Sequence, residues 1–223
     1  MKPLQIFIGF DPRQPVAVQV LAHSIYRRAS RPVSITPLVL NQLPITRTGL
    51  TQFTYSRYVV PHLCNYQGTA LFLDADMLCL GDVYELDEIA RPQLRPVCVV
   101  KNPKLRFEWP SLMYFNNSYC RALNLETIEQ GVPQNFEWAD PDNIGELPSE
   151  WNHLVGYDAP RPDAKIVHFT QGLPCWKETN NCEYSAQWLE ELGACNSTVS
   201  WQDLMGQSVH VKPVIERLAK AAA

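Results

Sequence analysis

Leu71-Phe72-Leu73-Asp74-Ala75-Asp76-Met77-Leu78-Cys79-Leu80 is an apolar run interrupted by two carboxylates and flanked by Gly68 and Gly81. A run of this kind between glycines reads as a buried strand. Residues two apart on a strand share a face, so Asp74 and Asp76 are expected side by side where Leu or Val would pack. Burying unpaired anions is costly, and such a pair needs a cation or donors nearby. Two readings follow: a divalent metal site, since hard cations favour carboxylate oxygens, or a strand-end turn whose backbone N–H groups satisfy the carboxylates. A second Asp-x-Asp, Asp140-Pro141-Asp142, sits in a polar, Pro-containing stretch that reads as loop.

Working outward, the first half alternates strand and helix. Residues 4–10 form a short apolar run closed by Asp11-Pro12. Pro15 suits a first helical turn, and Val16, Val20, Leu21, Ser24, Ile25 and Arg28 follow at helical spacing. A second strand is expected over 33–40, a helix over 55–64, and a short helix over 83–89. In the less regular second half the expected strands are 97–101, 112–115 and 165–169. Helices are expected over 119–130, 184–192 and 214–222, and 137–148 reads as loop. Alternating strands and helices predict an α/β fold with a mostly parallel sheet covered on both faces. In such sheets ligands sit outside the carboxyl ends of the strands, where both Asp11 and the Asp74/Asp76 pair fall. No linker or repeat divides the chain, so residues 1–223 are expected to form one domain.

The 223 residues are 46% hydrophobic and 19% charged, the balance of an ordinary globular chain, with a net charge of −4 that disfavours nucleic acid as a partner. No stretch has the apolar length of a transmembrane helix, and the start enters a strand pattern at once, unlike a signal peptide. Seven cysteines without a C-x-x-C pair point to a reducing, cytoplasmic location.

His168 ends the strand expected over 165–169 and precedes Gly172, Pro174 and Trp176. A lone His there reads as a hydrogen-bonded structural residue. With the two carboxylates, however, it makes a donor set suited to Mn2+ or Mg2+ that leaves positions open for substrate. Gly172 lets backbone N–H groups approach an anion.

Four pieces, Tyr55-Ser56-Arg57-Tyr58, Asp74-Ala75-Asp76, Tyr114-Phe115-Asn116 and His168-Phe169…Gly172…Pro174…Trp176, occur in an order that resembles the GT-A glycosyltransferases. They are most similar to the glycogenin and lipopolysaccharide galactosyltransferase type of family eight. The resemblance covers residues 4–176 and implies a single GT-A (Rossmann-like) domain with a C-terminal helical extension. It also implies a nucleotide-sugar donor, foremost a UDP-sugar, a glycan or other small acceptor, and transfer with retention. Asp74, Asp76 and His168 become metal ligands bridging Mn2+ to the diphosphate. Phe10 and Asp11 are placed at the base, and Tyr55, Arg57 and Ala75 on the donor. Ser111, Asn116 and Asn152 are candidate sugar contacts.

The sequence departs from the family twice. The lysine that relatives carry six residues after the ligand His is Pro174 here. Its charge falls to Lys177 or its role to the backbone around Gly172. Upstream of Leu147-Pro148-Ser149-Glu150-Trp151-Asn152 the catalytic carboxylate has only Glu137 and Asp140 as local candidates. Bland alternatives stand beside these roles: Asp11 as a helix cap, Arg57 as a solvated charge, and Tyr55 as ordinary packing. Two other functions remain. One is a nucleotidyltransferase making the sugar-nucleotide, weakened by a first turn with one Gly and one Arg; the other is a non-catalytic sugar or nucleotide binder.

Overall fold

The computed structural model describes residues 2–199, 203, 209 and 211–222. Through residue 90 the order is β1 (Leu4–Gly9), α1 (Pro15–Arg28), β2 (Val33–Leu38), α2 (Phe53–Ser56), α3 (Val60–Leu63), β3 (Thr69–Leu73), β4 (Met77–Cys79) and α4 (Val83–Ala90). There follow β5 (Val97–Val100), β6 (Leu112–Asn116), α5 (Leu125–Gln130), β7 (Gly145–Leu147), β8 (His153–Leu154), β9 (Ile166–His168), α6 (Ser185–Cys195) and α7 (Val211–Ala221). Six strands form a sheet of order β2-β1-β3-β6-β5-β7, in which β6 alone runs against the rest. The fold is the expected α/β sheet with helices on both faces.

Alternation explains why these strands read as continuous apolar runs. Ile6, Ile8, Leu71, Leu73 and Cys98 point into one core with α1, α4 and Trp188 of α6. Their neighbours Phe7, Ala70, Phe72, Val97 and Val99 point into the other, with α2, α3 and α5. Each fully buried aliphatic or aromatic side chain contributes about 1.5–3 kcal/mol, so neither face tolerates a polar residue cheaply.

Four expectations are corrected. The run 71–80 is not one strand: β3 ends at Leu73, residues 74–76 bend, and β4 enters a second sheet of order β4-β9-β8. The helix over 55–64 is split by a 3-10 turn, Arg57–Val59, before Pro61, which has no N–H to continue the ladder. The helix over 119–130 begins only at Leu125, because the Asn124 side chain accepts the Thr127 N–H at 2.9 Å and caps it there. The loop over 137–148 contains β7, pairing parallel with β5 from Cys98↔Gly145 to Val100↔Leu147.

The carboxyl ends of β1, β3, β5 and β7 lie together, and β6 starts there because Leu73 pairs with Leu112. That rim carries the candidate site.

Candidate metal and donor site

Asp74 leaves β3 with its N–H donating to the Ser111 carbonyl at 2.9 Å. After the bend, β4 runs antiparallel to β9 with Met77 opposite His168, and the Phe169 N–H donates to the Asp76 carbonyl at 2.9 Å. This ladder, rather than alternation along one strand, brings the three residues together: one ligand atom from each of Asp74, Asp76 and His168 lies within 4.8 Å of the others. His168 Nε2 is 3.3 Å from Asp76 Oδ1.

The cluster is buried and under-satisfied. Asp74 and His168 are almost wholly buried. Asp74 Oδ1, Asp76 Oδ1 and His168 Nδ1 make no aligned hydrogen bond among the described residues, their nearest partners being the ion-pair contacts with Arg57, His168 and Glu108. Burial pushes the Asp74 carboxyl up to about 7, with Asp76 and Glu108 adding to the rise against the pull of Arg57 and His168. For His168 burial opposes the imidazolium, yet Asp76, Asp74 and Glu108 together hold its pKa above the ordinary value. Buried polar atoms left without partners are uncommon and call for an explanation. Two carboxylates and an imidazole with spare lone pairs fit a divalent cation.

Arg57 belongs to this site: its Nη2 lies 3.1 Å from Asp74 Oδ1, its Nε donates to the Phe53 carbonyl at 3.2 Å, and its guanidinium lies over Phe72. It is a partly buried counter-charge, not a solvated one. Ser111 and Asn152 meet beside the cluster, Asn152 Nδ2 donating to Ser111 Oγ at 2.9 Å, while Ser111 Oγ donates to the Glu108 carbonyl at 2.6 Å.

Asp11 is fully buried at the end of β1. It does not cap α1, whose N-terminus has no side-chain cap. Its carboxylate accepts Nε and Nη2 of Arg13 at 2.9 and 2.5 Å, and that pairing, working against burial, holds its pKa below the usual carboxylate range. Phe10 is half-buried against the α1 core. Gly172 has φ +125, and a Cβ there would come within 2.6 Å of Trp176, so the turn after β9 is built for glycine.

Other expected residues are not assembled with the cluster. Asn116 pairs with Thr69 at the opposite end of β3 from Asp74 and accepts the Ser118 hydroxyl. Ala75, between the two carboxylates, is the exception, with its side chain buried in the core. Tyr55 engages Arg47, which stacks over its ring and donates to its hydroxyl at 3.1 Å. Lys177 is exposed. Glu137 is exposed on a 3-10 turn and Asp140 is exposed between that turn and the next, where Asp140 is engaged in accepting the Asp142 N–H. The residue that sequence reasoning missed is Glu108, whose carboxylate lies 3.8 Å from His168 Nδ1 and whose pKa burial raises. Its one signal is an acid set among aromatics and proline in Phe107-Glu108-Trp109-Pro110.

No family model matches the sequence. Protein CDI of Arabidopsis thaliana is 32% identical over 230 residues, a match spanning 87% of this chain and 88% of the plant protein. The chain belongs to the protein CDI family. This CDI-family chain also superposes on solved glycosyltransferases. Galactosyltransferase LgtC, solved with donor and acceptor sugar analogues, matches with TM-score 0.61 and 11% identity, over 90% of this chain and 99% of LgtC. Glycosyltransferase GlyE of Streptococcus pneumoniae TIGR4 matches with TM-score 0.63 and 15% identity, over 93% of this chain and 63% of GlyE. Bifunctional glycosyltransferase WbbM matches with TM-score 0.64 and 16% identity, over 85% of this chain. The CDI-family chain spans about half the length of WbbM, 49%. These likenesses give it the GT-A fold.

Proposed function

We propose that this protein is a metal-dependent glycosyltransferase that moves a sugar from a nucleotide-sugar, foremost a UDP-sugar, to a glycan or other acceptor, with retention as the family-eight resemblance implies. The observation that carries the reading is the largely buried Asp74–Asp76–His168 cluster, each residue keeping an atom without an aligned hydrogen bond, at the carboxyl rim of a GT-A sheet. These three residues would hold Mn2+ or Mg2+; when bound, the ion supplies Lewis-acid charge to a diphosphate leaving group. Arg57 fixes Asp74, while Asp76 and Glu108 flank the His168 ring and orient it. Asp11, one strand from Asp74 on the β1 side, stands where the base binds in this reading, and Ser111 and Asn152 flank the sugar. Residues 1–223 act as one transferase domain on this view. Seven free cysteines support a reducing, cytoplasmic setting, and no helix of the described residues is long and apolar enough to cross a membrane.

Thermal unfolding against UDP, GDP, ADP and CDP, each with and without Mn2+, tests the reading, because a ligand of the folded state raises the midpoint by mass action. A shift that needs both UDP and Mn2+ supports it. No shift with any pair overturns it. Nucleotide binding without turnover of any donor sugar moves the assignment to a non-catalytic binder.

A further inference from the structure

A cavity of about 730 Å³ opens beside the cluster, lined by the segment after β5 and the turn after β8. It touches the cluster's surroundings through Glu108 and Asn152. The order β1-β3-β6-β5-β7 puts Asp11 on one side of Asp74 and this cavity on the other, with β5 two strands, roughly 10 Å, from β3. A donor with its base near Asp11 and its diphosphate at the cluster therefore presents its sugar toward the cavity. The volume lies in the range of small-molecule sites.

The charge in the cavity is unevenly committed. Arg161 is bound by Asp163 at 2.9 Å and reaches Ser149 Oγ at 2.8 Å. The Asp158 carboxylate accepts the Leu154 N–H at 2.8 Å and Asn102 Nδ2 at 3.3 Å. Glu108 is turned to His168. Lys101 and Lys104 line the cavity and form no ion pair among the described residues. On a chain of net charge −4, two uncommitted ammonium groups at one concavity select for an anion. Val100, Leu105, Leu154 and Tyr157 supply an apolar wall for a sugar ring.

We propose that this cavity takes an acceptor saccharide bearing an anionic group, a phosphate or a carboxylate, held by Lys101 and Lys104. Its role as acceptor site rests on the transferase reading above; anion binding there does not. Isothermal titration without nucleotide compares galactose 6-phosphate, glucuronate and neutral methyl galactoside on the wild-type protein and on Lys101→Gln/Lys104→Gln. The expected result is binding of at least one anionic sugar, with the neutral one much weaker, and about tenfold weaker anion binding in the double variant. The anion that binds identifies the group. Equal binding of methyl galactoside, anion binding unmoved by the substitutions, or no binding of either anion overturns the proposal. Wild-type titration with UDP and Mn2+ is the separate arm. Its failure alongside lysine-dependent anion binding removes the transferase reading and leaves the cavity assignment standing.

Discussion

Replacing Asp76 with asparagine separates a metal ligand from a structural carboxylate. Asp76 supplies one of three ligand atoms that lie within 4.8 Å of one another, and the amide keeps its shape while removing its charge. At a free Mn2+ concentration about a hundredfold above Kd, one site adds about 2.7 kcal/mol to stability. For a chain of this size that is a Tm rise of roughly 5–11 °C. A hundredfold loss of affinity at the same concentration leaves about 0.4 kcal/mol, roughly 1 °C. The metal-free variant is expected to unfold within about 2 °C of the wild type. Asp76 shares the site with the acids Asp74 and Glu108, so its lost contact with His168 at 3.3 Å is offset by relief of repulsion. Scanning calorimetry with and without Mn2+ reads both quantities. A variant that keeps the full Mn2+ shift refutes the ligand set; one that unfolds much earlier without metal shows that Asp76 is structural.

Arg57→Met leaves Asp74 without its cation and is expected to cost about 1–3 kcal/mol in chemical denaturation, with added Mn2+ recovering part of it; no recovery refutes the shared charge balance. Glu191 joins α6 to α1, accepting His23 Nδ1 at 2.5 Å and Arg28 Nη1 at 2.8 Å. Burial opposes its ionisation, but Arg28, His23 and Arg27 outweigh that and hold its pKa below the usual value. Its contribution is thus full above the unfolded value near about 4.3 and is lost as pH falls through the lower native value. Glu191→Gln is expected to cost about 1–3 kcal/mol at neutral pH and to flatten the acid limb of the stability profile; an unchanged acid limb refutes it. Gly172→Ala, at φ +125 with Trp176 in the way, is expected to cost about 1–3 kcal/mol in denaturant midpoint, and an unchanged midpoint refutes the close packing of that turn.

The central strands are legible because burial on both faces writes them as unbroken apolar runs; Leu4–Gly9 and Val97–Val100 fall within a residue of expectation. The same rule hides the bend at 74–76. β3 and β4 are both apolar, so periodicity alone joins them into one strand although they lie in different sheets. Asp74, Asp76 and His168 are found together as expected, but through the pairing of β4 with β9, a tertiary fact. β7 and β8, three and two residues long, are too short for any period to register. Asn116 lies away from the cluster for a related reason: β6 is antiparallel, and four residues along it the chain has reached the far end of the sheet. Glu108 lies 60 positions from His168 in sequence, and only packing brings its carboxylate to the ring.

The bend at 74–76 fixes a length as well as a charge. Its three residues take the chain from the central sheet into register with His168. A residue inserted there shifts the β4–β9 ladder by one position and turns a ligand toward the wrong face. Such an insertion damages packing and chemistry together. The segments on the cavity wall, from Lys101 to Leu105 and from Tyr157 to Arg161, lie between strands without setting any register. A change of length or charge in these segments therefore reshapes the cavity without disturbing the three-residue crossing.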